Sequence, residues 1–148
     1  MNRIQAFAVI AAALTASAPA LAGEAANTFT VVERATSDAV SVHGGSKADN
    51  VGDILTFANE MFDAANTTKA GGDQGYCVRL VAGKSFECHL TVSLAKGQIM
   101  MDGPFFDDAD SIMAVTGGTG AYDGARGEMT LHARDAKGSA YDFRYRLK

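Results

Sequence analysis

The chain has 148 residues, 47% of them apolar, and a formal net charge of −4 at pH 7 from 13 Lys and Arg against 17 Asp and Glu. That length carries one domain with a core of its own. An acidic chain without a basic run is a poor partner for nucleic acid or an anionic membrane surface, and neither is expected to bind.

The start, "MNRIQAFAVIAAALTASAPALA", has one early cation, Arg3, an apolar run from Ile4 to about Leu14, and an Ala20-Leu21-Ala22 ending. This is the three-part build of a secretory signal peptide. The run is shorter than the roughly 20 residues that cross a bilayer, so no stable membrane insertion is expected. Cleavage near Ala22 divides the chain into a signal peptide, 1–22, and one domain, 23–148, placed outside the cell or in the periplasm. In an exported chain the only two cysteines, Cys77 and Cys88, favour a disulfide over a metal site or a reactive thiol.

Along the domain the apolar residues recur mostly with a period of two, the strand signal. "TFTVVER" puts Phe29, Val31 and Glu33 on one face. "DILTFANEMFDAAN" is ambiguous: Ile54, Phe57, Ala58, Met61 and Phe62 suit a helix, yet Leu55, Phe57 and Asn59 alternate, and the periodicity leans to helix. "GYCVRLV" and "SFECHLTVSL" flank "AGK" and predict a hairpin. A turn centred on Ala82-Gly83 brings Cys77 opposite Cys88, within reach of a disulfide. "GQIMMDG", "SIMAVT", "GEMTLHARD" and "SAYDFRYRL" follow as further strands, the last with Tyr141, Phe143, Tyr145 and Leu147 facing in.

Between the sixth and seventh of these segments stands "AVTGGTGAYDGARGEM", with five glycines. A dinucleotide fingerprint needs its third glycine one residue earlier, where Asp123 follows Tyr122, and a P-loop needs a lysine that is absent. The loop reads instead as a tight turn between strands. The histidines do not group: His43 lies in a loop, His89 faces outward, and His132 shares a face with Glu128 and Thr130. "DDAD", residues 107–110, lacks the glycine and terminal glutamate of an EF-hand. No metal and no cofactor are expected.

"AVTGGTGAYDGARGEMTLH", together with "VGDILTFAN", "GYC", "FEC", "GQIMMDGPF" and "YDFRYRL", resembles the allene oxide cyclases and the related dirigent proteins. The resemblance runs from about Phe29 to Lys148. It implies an all-β fold, a single eight-stranded antiparallel β-barrel, and it makes "VGDILTFAN" a barrel strand. It also implies an apolar lumen that bends an unsaturated fatty-acid epoxide so that ring closure follows one face. In that scheme a carboxylate steadies positive charge and polar side chains hold a water.

Carried over by position, Glu33 matches the carboxylate and Asn59 the water-holding amide. Phe57, Cys77, Phe86 and Phe105 match lumen residues. Arg79 shares the face of Cys77, either paired in the lumen or reaching out to the barrel mouth. Three positions depart from the pattern: Ala35 stands for an asparagine, "SVHGG" lacks a Ser-Pro, and Phe105 stands for a tyrosine.

These readings give three functions. One is a cofactor-free isomerase that steers cyclisation or coupling of a small apolar molecule, fatty-acid-derived or phenolic. The second is a carrier using the same lumen without chemistry. The third is a rigid interaction module with a filled barrel. The resemblance also implies a homotrimer.

Overall fold

A computed structural model describes residues 27–43 and 49–148. The expected signal peptide lies outside the described residues. Strand β1 (Asn27–Arg34) bends into the short β2 (Ala39–Ser41), and β3 (Ile54–Phe57) continues past Ala58-Asn59 into β4 (Glu60–Phe62). Then follow β5 (Lys69–Val81), β6 (Ser85–Leu94), β7 (Gly97–Phe106), β8 (Ser111–Gly118), β9 (Gly127–Ala133) and β10 (Ala140–Leu147).

Every pairing is antiparallel, and β5 meets β6 while β1 meets both β4 and β10, so the sheet closes on itself. Because β3 and β4 pair with successive parts of β5, they count as one barrel strand. The result is an eight-stranded antiparallel barrel. Closure removes the exposed edges that an open sheet would leave.

Alternation decides which residues enter the barrel. Phe29, Val31 and Glu33 of β1 lie opposite Tyr145, Phe143 and Tyr141 of β10. The β5–β6 hairpin has the expected register, with Cys77 opposite Cys88, and a disulfide joins them with their Cα atoms 4.0 Å apart. The helix suggested by the period of residues 53–66 is a strand instead. Leu55, Phe57, Asn59 and Met61 keep strict alternation, and Ile54 and Phe62 add apolar side chains of the opposite parity that mimic a helical stripe.

The lower barrel is filled. Met61, Leu90, Val92, Ile99, Met101, Met129 and Phe143 are each at most 2% exposed. Its far end is shut by the glycine-rich connection between β8 and β9, which makes one 3-10 turn at Gly120–Tyr122. There Ala125 joins the core and the Tyr122 ring stacks 6.2 Å from that of Phe29. A Cβ on Gly127 would sit 2.1 Å from the Arg146 carbonyl oxygen, at a φ of +134°, so only glycine lets the chains approach this closely. The loop turns the chain and plugs this end of the barrel.

Candidate functional site

The connections β5–β6, β7–β8 and β9–β10 gather at the opposite end, together with residues 49–53 that lead into β3. Below them the barrel holds a cavity of about 60 Å³, measured as space for the centre of a water molecule. One water needs about 10–15 Å³ by this measure, so the cup takes a small molecule or one end of a larger one. Leu55, Phe57, Leu90, Met113, Leu131 and Phe143 form most of its wall, with the Cys77–Cys88 disulfide between strands. Phe105 and Tyr141 also line it, their rings meeting edge-on 5.9 Å apart. Opposite Phe57 stands Gly75, where a Cβ would fall 2.7 Å from the Phe57 ring. The missing side chain makes room for that ring.

One corner of the cup is polar. Glu33 and Asp38 line it, and Asn59 ties them together by donating from Nδ2 to Glu33 Oε1 at 2.8 Å and to Asp38 Oδ1 at 2.9 Å. The Asn59 Oδ1 accepts the Thr36 and Ser37 backbone amides at 2.9 Å each, and the Ser37 Oγ lies at the same distance, its one hydrogen turned to the Ala58 carbonyl at 2.8 Å. These bonds have a structural cause. Arg34 pairs with Glu60 but Ala39 with Thr56, so the β1–β2 side carries one residue more than its partner and the ladder breaks. The Asn59 side chain and the Ser37 hydroxyl, which donates to the Ala58 carbonyl and accepts its amide, supply the missing bonds.

Behind Glu33 lies a second buried acid. Asp73 Oδ1 accepts the Asn59 amide at 2.9 Å, and Asp73 Oδ2 has no partner of its own. Burial and then the neighbouring Asp73 push the Glu33 carboxyl well above its usual range. Burial likewise raises Asp73, to about 6. Two buried carboxyls resist ionising together, so the pair gives up its protons less readily than either acid would in water. Burial, and then the charges of Glu33 and Asp38, also raise the Tyr141 phenol at the rim.

A family model described as allene oxide cyclase matches residues 24–134. The chain belongs to the allene oxide cyclase family. Among solved structures, this family member is similar to a pyocyanin demethylase, with 27% identity over 82% of this chain and 100% of that one and a TM-score of 0.69. It shares its fold with a pterocarpan synthase dirigent protein at 14% identity, covering 84% of this chain and 94% of the other at TM-score 0.65. It does so too with an exo-specific intermolecular Diels-Alderase at 16% identity, covering 82% and 97% at TM-score 0.63.

Of the residues the sequence singled out, Glu33, Phe57, Cys77 and Phe105 line the cavity of this allene oxide cyclase family member. Asn59 is buried beside it with its amide fully engaged by protein groups. Phe86 is also buried, but stands outside the wall, between Phe105 and Arg79. The two readings of Arg79 resolve toward the mouth. Its guanidinium covers the Phe86 ring at 3.6 Å and binds both oxygens of Asp107 at 2.7 Å. Its Nε lies 3.1 Å from Asp49 Oδ1, close enough for an ion pair but out of line for a hydrogen bond. Sequence reasoning missed Asp38 and Asp73. Asp73 shares the parity of Cys77 and Arg79 in β5, a signal that was present; Asp38 sits in a bend whose aim no period reveals.

Proposed function

We propose that the cavity takes a small, largely apolar organic molecule and holds it against Glu33, steering a cyclisation or coupling. The observation that carries this is a buried carboxyl, Glu33, on the wall of a cup that is apolar except for the corner it shares with Asp38. The apolar wall fixes the molecule's posture, and a preorganised acid acts on whichever oxygen or nitrogen develops charge beside it. The raised proton affinity of Glu33, caused by burial and by Asp73, suits it to donate a hydrogen bond or a proton there. The names of the similar barrels, a demethylase, a pterocarpan synthase and a Diels-Alderase, support an enclosed organic substrate and leave the reaction to the wall residues.

The state of Asn59 favours a second reading. All its amide groups are spent on the barrel seam, so it holds no water, and the cup could serve a carrier without chemistry. Glu33→Gln separates the two: loss of turnover with ligand affinity kept supports catalysis, whereas equal loss of both refutes it. Export fits the disulfide, and we place the mature chain outside the cytoplasm on the strength of the N-terminal pattern. The homotrimer stays a proposal drawn from the family, checked by mass photometry of the mature protein.

A further inference from the structure

We propose that the cavity selects an organic cation, a flat molecule with delocalised positive charge, over neutral and anionic molecules of the same shape. This rests on the reading of the cavity as a ligand site and names the class of ligand it takes. Among the described residues, Glu33 and Asp38 are the ionisable groups on the cavity wall besides the Tyr141 phenol, and no described Lys, Arg or His lines it. Above it opens a vestibule that shares Phe105, Leu131 and Tyr141 with the cup, and its floor and sides carry Asp107, Asp108, Asp110 and Asp135.

Among the described residues, the two arginines beside the opening are engaged. Arg79 is held by Asp107 and Asp49, and Arg134, the one cation lining the vestibule, donates to Asp142 and to the Ala64 carbonyl. Asp135 accepts the Lys137 and Ser139 amides and the Ser139 hydroxyl and feels the Lys137 charge as well. Asp38 takes only the Asn59 side-chain amide, and Asp108 has neither ion pair nor hydrogen bond among the described residues. Two carboxylates therefore stand without a cationic partner among the described residues, Asp38 at the cup and Asp108 at the vestibule.

A low-dielectric cleft concentrates such a field, which draws cations in and turns anions away. The wall supplies the other half of the recognition, because Phe57, Phe105, Tyr141 and Phe143 present aromatic rings to a cation, and a hydrated small ion gains less from them than a delocalised one. A fatty-acid carboxylate, by contrast, meets no counter-charge at any depth.

Three compounds of matched shape test this by calorimetry on the mature, oxidised protein at pH 7.5 and low salt: 1-methylquinolinium, 1-methylnaphthalene and 1-naphthoate. The cation is expected to bind about tenfold more tightly than the naphthalene, and the naphthoate most weakly. Raising NaCl to 0.5 M should shrink the preference, as screening demands. Asp108→Lys should weaken the cation about threefold at low salt and leave the naphthalene unchanged. Equal affinities, or a tighter naphthoate, overturn the charge inference while the cavity reading stands. Failure of all three to bind at millimolar concentration overturns both. Cation binding that survives Leu131→Trp, which fills the cup, marks adsorption to the acidic surface and also overturns the proposal.

Discussion

Replacing Asp73 by Asn isolates the cost of the buried acid pair. The carboxyl of Asp73 is raised from 3.8 to about 6 in the folded chain, chiefly by burial. A raised value means that the folded state binds the proton more tightly than the unfolded one. Its contribution is thus fully present below about pH 4 and lost as pH climbs through 6. At 1.36 kcal/mol per unit the gap amounts to about 3 kcal/mol by pH 8. Asn keeps an oxygen for the Asn59 amide and removes the charge, and it also relieves Glu33, so both effects have one sign. Urea melts of both proteins from pH 4 to 8, with the disulfide intact, read the difference directly. Asp73→Asn should match the parent near pH 4 and exceed it by about 3 kcal/mol, or roughly 10 °C in Tm, at pH 8. A difference that stays flat across this range refutes this account of the acid pair.

Three other outcomes follow from the same geometry. Cys88→Ser should lower stability by about 3 kcal/mol in urea melts, the loop-closure value for a bridge spanning 11 positions, and reduction with a thiol should have the same effect on the parent. Asn59→Ala should cost at least about 3 kcal/mol, because the unzipped seam leaves two carboxyls and two backbone amides without their partner, whereas Glu33→Gln should leave the melt close to the parent's. Tyr145→Phe should be neutral or stabilising by about 1 kcal/mol, since its hydroxyl is buried with no hydrogen-bond partner.

Alternation made most of the barrel legible. The inward faces of β1 and β10 were readable residue by residue from Phe29, Val31 and Glu33, and from Tyr141, Phe143 and Tyr145, because polar Thr28, Thr30, Asp142, Arg144 and Arg146 alternate with them. The Cys77–Cys88 pairing followed from one turn, since a hairpin's register is set locally. The β3–β4 segment misled for a physical reason. Phe62 is apolar on the outer face, where it lies under the Arg34 guanidinium at 3.5 Å, and period counting has no way to tell such a site from a helix stripe. The acid pair was hidden for a different reason. Glu33 and Asp73 are 40 positions apart, and only the closed sheet makes them neighbours. Phe86 was placed in the barrel correctly by parity, but its distance from the cup depends on Arg79 lying over it.

The plug at the glycine-rich end has a kinetic consequence. A tube open at both ends could pass a molecule straight through, but a cup fills and empties by the same door. On the proposed reading of the cup as a ligand site, a bound molecule has to leave past the Phe105, Leu131 and Tyr141 rim before the next enters, so release and uptake compete for one door. A ligand longer than the cup would leave its tail at that rim, and discrimination between long ligands would then belong to the residues around the mouth while the base of the barrel stays the same.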